Sequence, residues 1–254
     1  MSLAGRHAVI TGGGTGIGAA IAARLASEGV RLTLLGRRLA PLQECARVLV
    51  AQHNAAVDVH TLDVTDADAV DAAFSALSQP VDILVNNAGS APSTPFHRLN
   101  ADTWHATLAV NLHGAYYCSR AVIEGLRKRD YGRIVNIAST SALRGYAYVA
   151  AYCAAKHGLL GLTRALAVEY AGTALTVNAV CPGFTETDLL ERSVANIVDK
   201  TGRSEAQARA ALHADNPQQR FIQPDEIAGT VAWLLSDAAR SVTGQAISIS
   251  GGEV

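Results

Sequence analysis

With 254 residues, 49% of them hydrophobic and 17% charged, the chain has apolar material for one large core and too little charge for a disordered chain. Its 21 Lys and Arg against 22 Asp and Glu give a formal net charge of −1, which excludes the broad basic field that would draw nucleic acid or an anionic membrane surface. Cys45, Cys118, Cys153 and Cys181 form no C-x-x-C pair and no His cluster has metal-ligand spacing, so no metal is expected and the thiols are read as reduced, in a cytoplasmic protein.

Short β-branched runs bounded by Gly, Asn or Asp alternate with longer Ala/Leu-rich segments of helical period. A strand at 7–11 comes first, so early that a charged leader and an apolar signal segment are not expected before it. It leads through Thr11-Gly-Gly-Gly-Thr-Gly-Ile-Gly18 into a helix at 17–28, a strand at 31–35 and a helix at 40–52. Strand 58–63, helix 66–77, strand 83–86, a long helix at 101–129 and strand 133–138 follow. Helix 151–170, strand 176–181, helix 224–235 and strand 245–249 complete the alternation, interrupted by a polar, mostly helical stretch at 185–220. Such alternation specifies an α/β fold, one doubly wound parallel sheet of about seven strands in a single domain over 1–254. Ligands bind beyond the carboxyl ends of the strands in such sheets, which places 185–220 as a lid between strands six and seven. No apolar run is long enough to span a membrane.

Glycines in the turn after the first strand let the backbone approach a pyrophosphate closely, while the open amides of the following helix hold the negative charge. The key positions are Gly12, Gly16 and Gly18, a spacing unlike the common G-x-G-x-x-G fingerprint. Further along stand Asp63, Asn86-Asn-Ala-Gly89, Asn111, Ser139, Tyr152-x-x-x-Lys156, and Pro182-Gly183 with Thr187. In this order these elements resemble the short-chain dehydrogenase/reductase family and its Rossmann-type sheet. The resemblance implies a nicotinamide cofactor held at its pyrophosphate by Gly12, Gly14, Thr15, Gly16, Ile17 and Gly18, and at adenine by Asp63 with Val64. It implies that Asn86, Asn87, Ala88 and Gly89 line the ribose and stabilise the sheet, and that Pro182, Gly183, Thr185 and Thr187 meet the nicotinamide end. Gly89 and Pro182 also fit a role confined to shaping turns, and Asn87 a purely structural one.

The second strand ends in Leu34-Leu35-Gly36-Arg37-Arg38. NAD-preferring relatives usually place a carboxylate where Gly36 stands, whereas the planar guanidinium of Arg37, with Arg38 beside it, suits a 2′-phosphate. NADP is therefore expected, with NAD as the alternative because Thr15 stands where many NADP-preferring relatives carry a basic residue.

Tyr152 and Lys156 lie four residues apart in a helical segment and so share a face. Hydride transfer to a ketone needs a proton donor, and a tyrosine with its pKa brought down from about 10 can serve in both directions. Lys156, next to the oxidised nicotinamide cation, is read as the group that lowers it, by roughly two to three units. By resemblance, Tyr152 and Lys156 also contact the cofactor, Ser139 hydrogen-bonds the carbonyl oxygen, and Asn111 holds a relay water near the lysine. Thr140 and Ser141 are read as loop residues, and Tyr146 and Tyr148 as pocket wall.

The stretches 132–139 and 178–187 resemble β-ketoacyl reductases, polyketide ketoreductases and 3-hydroxyacyl dehydrogenases, so a 3-oxoacyl thioester or its alcohol is the expected substrate. The Tyr/Lys helix ends without an arginine, which favours a coenzyme A thioester or small ketone over a carrier protein, although Arg127, Lys128 and Arg129 remain available to phosphates. Because 204–221 resembles the lid of 3-hydroxybutyrate dehydrogenases, an NAD-dependent dehydrogenase of a small hydroxy acid is the alternative. A redox sensor without turnover is the alternative from another class. The long helices at 101–129 and 151–170, apolar on more than one face, point to a homotetramer.

Overall fold

The computed structural model describes residues 3–254. Within them β1 (His7–Thr11), β2 (Arg31–Gly36), β3 (Val57–Thr61), β4 (Ile83–Asn86), β5 (Gly132–Ile137), β6 (Leu175–Pro182) and β7 (Ala246–Ile249) form one sheet in the order β3-β2-β1-β4-β5-β6-β7. All neighbours pair in parallel. Every residue of β1, β4, β5 and β6 is buried, the outcome expected when both faces of a parallel sheet are covered by helices.

Alternation along β1 divides the core. Ala8 and Ile10 pack with Ile21 and Leu25 of α1 (Gly16–Ser27), Leu42 and Leu49 of α2 (Leu39–His53), and Ile227 and Val231 of α9 (Pro224–Leu235). Val9 points the other way, toward Val70 of α3 (Ala67–Ser75), Cys118 and Val122 of α5 (Gly114–Leu126), and Ala167 of α6 (Ala150–Glu169). The second layer is pinned by a polar ladder: Asn86 Nδ2 donates to Asn136 Oδ1 at 2.8 Å, Asn136 Nδ2 to Thr163 Oγ1 at 2.8 Å, and Thr163 Oγ1 to the Leu159 carbonyl at 2.8 Å. Buried amides impose direction where apolar packing does not, so the ladder ties β4, β5 and α6 in one register.

The segment expected as one helix over 101–129 is three. α4 (Ala101–Leu108) passes through a wide π turn at Ala109–His113 into α5, which ends at Leu126. The cause is Asn111, whose Nδ2 donates to the Thr107 carbonyl at 3.0 Å and to the Ser90 carbonyl at 2.8 Å, drawing the backbone out of regular winding. β3 stops at Thr61, short of Asp63, because the Asp63 carboxylate accepts from the Thr65 amide at 3.0 Å and turns the chain.

Between β6 and β7 the segment 185–220 contains α7 (Asp188–Thr201) and α8 (Glu205–His213). These helices bury Leu190, Val194, Ala208 and Phe221 in a small cluster of their own. Arg209 of α8 pairs with Glu186 and Glu191, and an isolated bridge from Thr185 to Ile222 closes the base.

Candidate active site

The order of the sheet reverses between β1 and β4, and the predicted site residues gather at the carboxyl ends of β1 to β6 around that point. The glycine turn is held from the β4 side. Thr11 Oγ1 accepts from the amides of Asn87 at 3.0 Å and Ala88 at 3.1 Å, and Asn87 Nδ2 donates to the carbonyls of Thr11 at 3.0 Å and Gly12 at 3.1 Å. The Asn87 amide is thus committed to the turn, the structural role that its sequence context left open.

Gly12 has φ +65°, and a Cβ there would lie 2.9 Å from Asn87 Nδ2. A Cβ on Gly18 would lie 2.2 Å from the Gly12 carbonyl oxygen, so α1 can start this close to the turn only on glycine. Gly14 packs on the backbone of Pro41 and Leu42 at the start of α2, and Gly16 faces Thr187 across the cleft, where its Cβ would be 3.2 Å from the threonine methyl. Thr15, the N-cap of α1, makes no side-chain capping bond, and Ala19, on Thr15 O at 3.2 Å, is the first amide of the helix bonded back into the turn. The amides of Gly16, Ile17 and Gly18 are therefore open to an anion, which fits a pyrophosphate.

Arg37 and Arg38 are exposed beyond β2 and form no hydrogen bond or ion pair among the described residues. Arg37 lies within electrostatic reach of Asp63, whose pKa is lowered first by the Thr65 amide and further by Thr65 Oγ1 and Arg37. Val64 turns its side chain inward, so close that a Cβ on Gly114 would lie 2.7 Å from it. At the end of β6, Thr185 is buried and donates to the Gly183 carbonyl at 2.9 Å, while Thr187 donates to the Thr185 carbonyl at 3.2 Å. These bonds stiffen the run from Pro182 and Gly183 into α7.

Ser139, Tyr152, Lys156 and Asn111 meet beside this cradle. The Ser139 hydroxyl stands close enough to Tyr152 to favour its ionised form, and Ser139 Oγ accepts from the Ser141 amide at 3.1 Å. Lys156 is 4% exposed; its Nζ donates to the Ile137 carbonyl at 2.8 Å and lies 5.5 Å from the centre of the Tyr152 ring. A Cβ on Gly89 would stand 2.6 Å from Asn111 Oδ1 and 3.8 Å from Lys156 Nζ, so the β4 loop, the π turn and α6 converge at one point. A cavity of about 10 Å³, the size of one water molecule, is lined there by Thr11, Asn86, Asn111 and Lys156.

The electrostatics differ from the expectation that Lys156 draws the tyrosine pKa down. Burial pushes Tyr152 up to about 12 despite the neighbouring Ser139 hydroxyl, and burial brings Lys156 down to about 8. Loss of solvation is the largest cause at both groups.

Tyr146, expected only as pocket wall, has a definite partner: its hydroxyl donates to Glu253 and lies 2.7 Å from Thr140 Oγ1. Sequence reasoning missed Glu253, which is separated from Tyr146 by 107 positions and belongs to no local motif. Tyr148 adopts φ +70° and is 63% exposed at the mouth, its carbonyl accepting from the Thr94 amide at 2.7 Å. All four cysteines are free, and burial raises Cys118 to about 12 and Cys181 to about 11. Among the described residues no group of three or more His, Cys, Asp or Glu side chains could hold a metal ion, and no helix is long and apolar enough to cross a membrane.

Comparison with known proteins adds relatives for the whole chain. A family model described as enoyl-(acyl carrier protein) reductase matches residues 12–253. The chain is 35% identical over 258 residues to a D-beta-hydroxybutyrate dehydrogenase of Cupriavidus necator, covering 99% of both chains. It is 36% identical over 251 residues to an acetoacetyl-CoA reductase of Shinella zoogloeoides, covering 98% of both. Among solved structures, a variant actinorhodin polyketide ketoreductase with NADPH superposes with a TM-score of 0.93 at 36% identity, over 98% of this chain and 97% of that one.

Proposed function

This chain belongs to the short-chain dehydrogenase/reductase family, and from that premise we propose that it transfers a hydride between NADP(H) and a 3-oxoacyl or 3-hydroxyacyl thioester. The convergence of Ser139, Tyr152, Lys156 and Asn111 beside the glycine turn is the observation that carries the reading. When bound, the nicotinamide supplies or accepts the hydride. The open amides of Gly16, Ile17 and Gly18 hold its pyrophosphate, Arg37 and Arg38 the 2′-phosphate, Asp63 and Val64 the adenine side, and Thr185 and Thr187 the carboxamide side. Ser139 and Tyr152 take the substrate oxygen between their hydroxyls, and Tyr152 gives it a proton as the alkoxide forms. A phenol held near 12 stays protonated at neutral pH, which suits reduction. Lys156 keeps most of its positive charge below about 8 and favours proton release from the ring it overlies.

The segment 185–220 acts as the substrate lid of a single domain over 1–254. The acetoacetyl-CoA reductase and ketoreductase relatives support the thioester. The D-beta-hydroxybutyrate dehydrogenase relative supports the second reading, a small hydroxy acid. Four free thiols suit the cytoplasm. Tyr116 on α5 and Val168 on α6 are exposed apolar groups on the helices we assign to contacts in a homotetramer.

A panel of 3-oxoacyl-CoA thioesters, free 3-oxo acids and simple ketones, followed by cofactor absorbance with NADPH and NADH, tests the proposal. NADPH-dependent turnover highest on the thioesters is expected; NADH-linked turnover confined to the free acid would establish the second reading, and cofactor binding without turnover a sensor. Arg37→Ala should raise the NADPH KM by about tenfold or more, the worth of a charge-assisted contact, and leave the NADH KM within about twofold. Equal effects on both would mean that Arg37 reads no 2′-phosphate.

A further inference from the structure

The C-terminal residues enter the site from outside the reaction just described. After β7 the chain turns at the buried Ser250, and a Cβ on Gly251 would lie 2.2 Å from Asn216 Oδ1, so the tail runs directly against the segment that follows α8. The next side chain, Glu253, is 4% exposed. Its Oε1 accepts from the Tyr146 hydroxyl, Arg144 Nη1 lies 3.8 Å away, and its Oε2 is 3.4 Å from the position of a Cβ on Gly183. A carboxylate buried to this degree is tolerated only where donors compensate it, and here the donors belong to the loop that begins with Ser139.

That loop is stiff. Ala142 N bonds the Ser139 carbonyl at 2.9 Å, Arg144 N bonds the Thr140 carbonyl at 3.0 Å, and the Tyr146 hydroxyl returns to Thr140 at 2.7 Å. Arg144 stacks over the Tyr146 ring at 4.9 Å and reaches Asp215, just beyond α8, at 3.2 Å. The loops after β5 and β6, the segment after α8 and the tail therefore meet around one carboxylate.

We propose that Glu253 and Tyr146 are positioning residues, a brace that holds Ser139 in register with Tyr152 and seats the lid over the substrate. This rests on the functional reading above. The brace touches neither the glycine turn nor the reacting hydroxyls and meets the nicotinamide end only where Glu253 Oε2 packs beside Gly183, so its loss acts chiefly on the carbonyl substrate.

The test uses the full chain carrying Tyr146→Phe, Glu253→Ala or Glu253→Gln, with kcat and KM for the carbonyl substrate, NADPH affinity by fluorescence, and amide exchange of 139–146. Tyr146→Phe and Glu253→Ala should each lower kcat/KM about tenfold through misplacement of Ser139. NADPH affinity should stay within about twofold, and the double variant should be no worse than the weaker single, as expected for coupled groups. Glu253→Gln keeps an acceptor for Tyr146 and should recover most of the loss. Tyr146→Phe and Glu253→Ala both within twofold of the parent would overturn the brace, as would a parallel fall in NADPH affinity or no recovery with Gln. Where Glu253→Ala does not fold, the nearly isosteric Tyr146→Phe decides. A parent inert on every carbonyl would instead overturn the functional reading, and faster exchange at 139–146 in Tyr146→Phe would then report the brace by itself, unchanged exchange refuting it.

Discussion

Replacing Tyr152 with phenylalanine should lower turnover by about 10²–10⁴ and leave NADPH affinity within about twofold. The substitution keeps the ring, and with it the contact to Lys156 at 5.5 Å, while removing the hydroxyl that stands beside Ser139. The substrate oxygen then forms its alkoxide with a serine partner and no proton source. The expected loss corresponds to roughly 3–5 kcal/mol of barrier, within reach of a single positioned acid. Single-turnover measurements with saturating NADPH separate the chemical step from cofactor release. A variant within about tenfold of the parent would remove Tyr152 from the acid/base role.

The second large effect lies at Gly18. An alanine there places its methyl 2.2 Å from the Gly12 carbonyl oxygen and 2.6 Å from Asn87 Nδ2, and neither neighbour can give way. Gly12 is bonded to the Leu35 carbonyl through its amide at 2.7 Å, and Asn87 is bonded to two carbonyls of the turn. The start of α1 must shift, which removes its open amides from the pyrophosphate position. Gly18→Ala should therefore cost about 1–3 kcal/mol of stability and lower NADPH affinity by tenfold or more. The matched control is Gly125→Ala in α5, where a new Cβ meets nothing within 4 Å and the better helix former should raise stability by up to about 1 kcal/mol. Thermal unfolding of both variants, with and without NADPH, checks the contrast; equal behaviour would mean that the turn tolerates a side chain.

The alternation of short β-branched runs with helical segments was enough to place all seven strands, and β1, β4 and α9 have the bounds their patterns predict. Burial on both sheet faces explains this for β1, β4, β5 and β6, whose runs are largely apolar. The π turn at Ala109–His113 carries no Gly or Pro to announce it; it exists because Asn111 reaches Ser90, a contact across 21 positions. Spacing put Tyr152 and Lys156 on one helix face and the family resemblance singled out Ser139, and the structure brings the three together. Their electrostatics could not be read that way, because the pKa of Tyr152 follows from how deeply α6 seats against β5 and β6. Asn87 is a similar case: a polar side chain in a motif gives no sign of whether its hydrogen bonds face a ligand or the chain itself. Glu253 had no local pattern at all, and its meaning comes only from the fold that carries it back to Tyr146.

The α7–α8 pair consolidates its apolar residues within itself, on Leu190, Val194, Ala208 and Phe221, and draws little on the core beneath the sheet. Evolutionary drift in this segment is therefore cheap. Substitutions confined to this cluster leave the apolar contacts of the strands in place, so the module can repack while the sheet beneath keeps its own core.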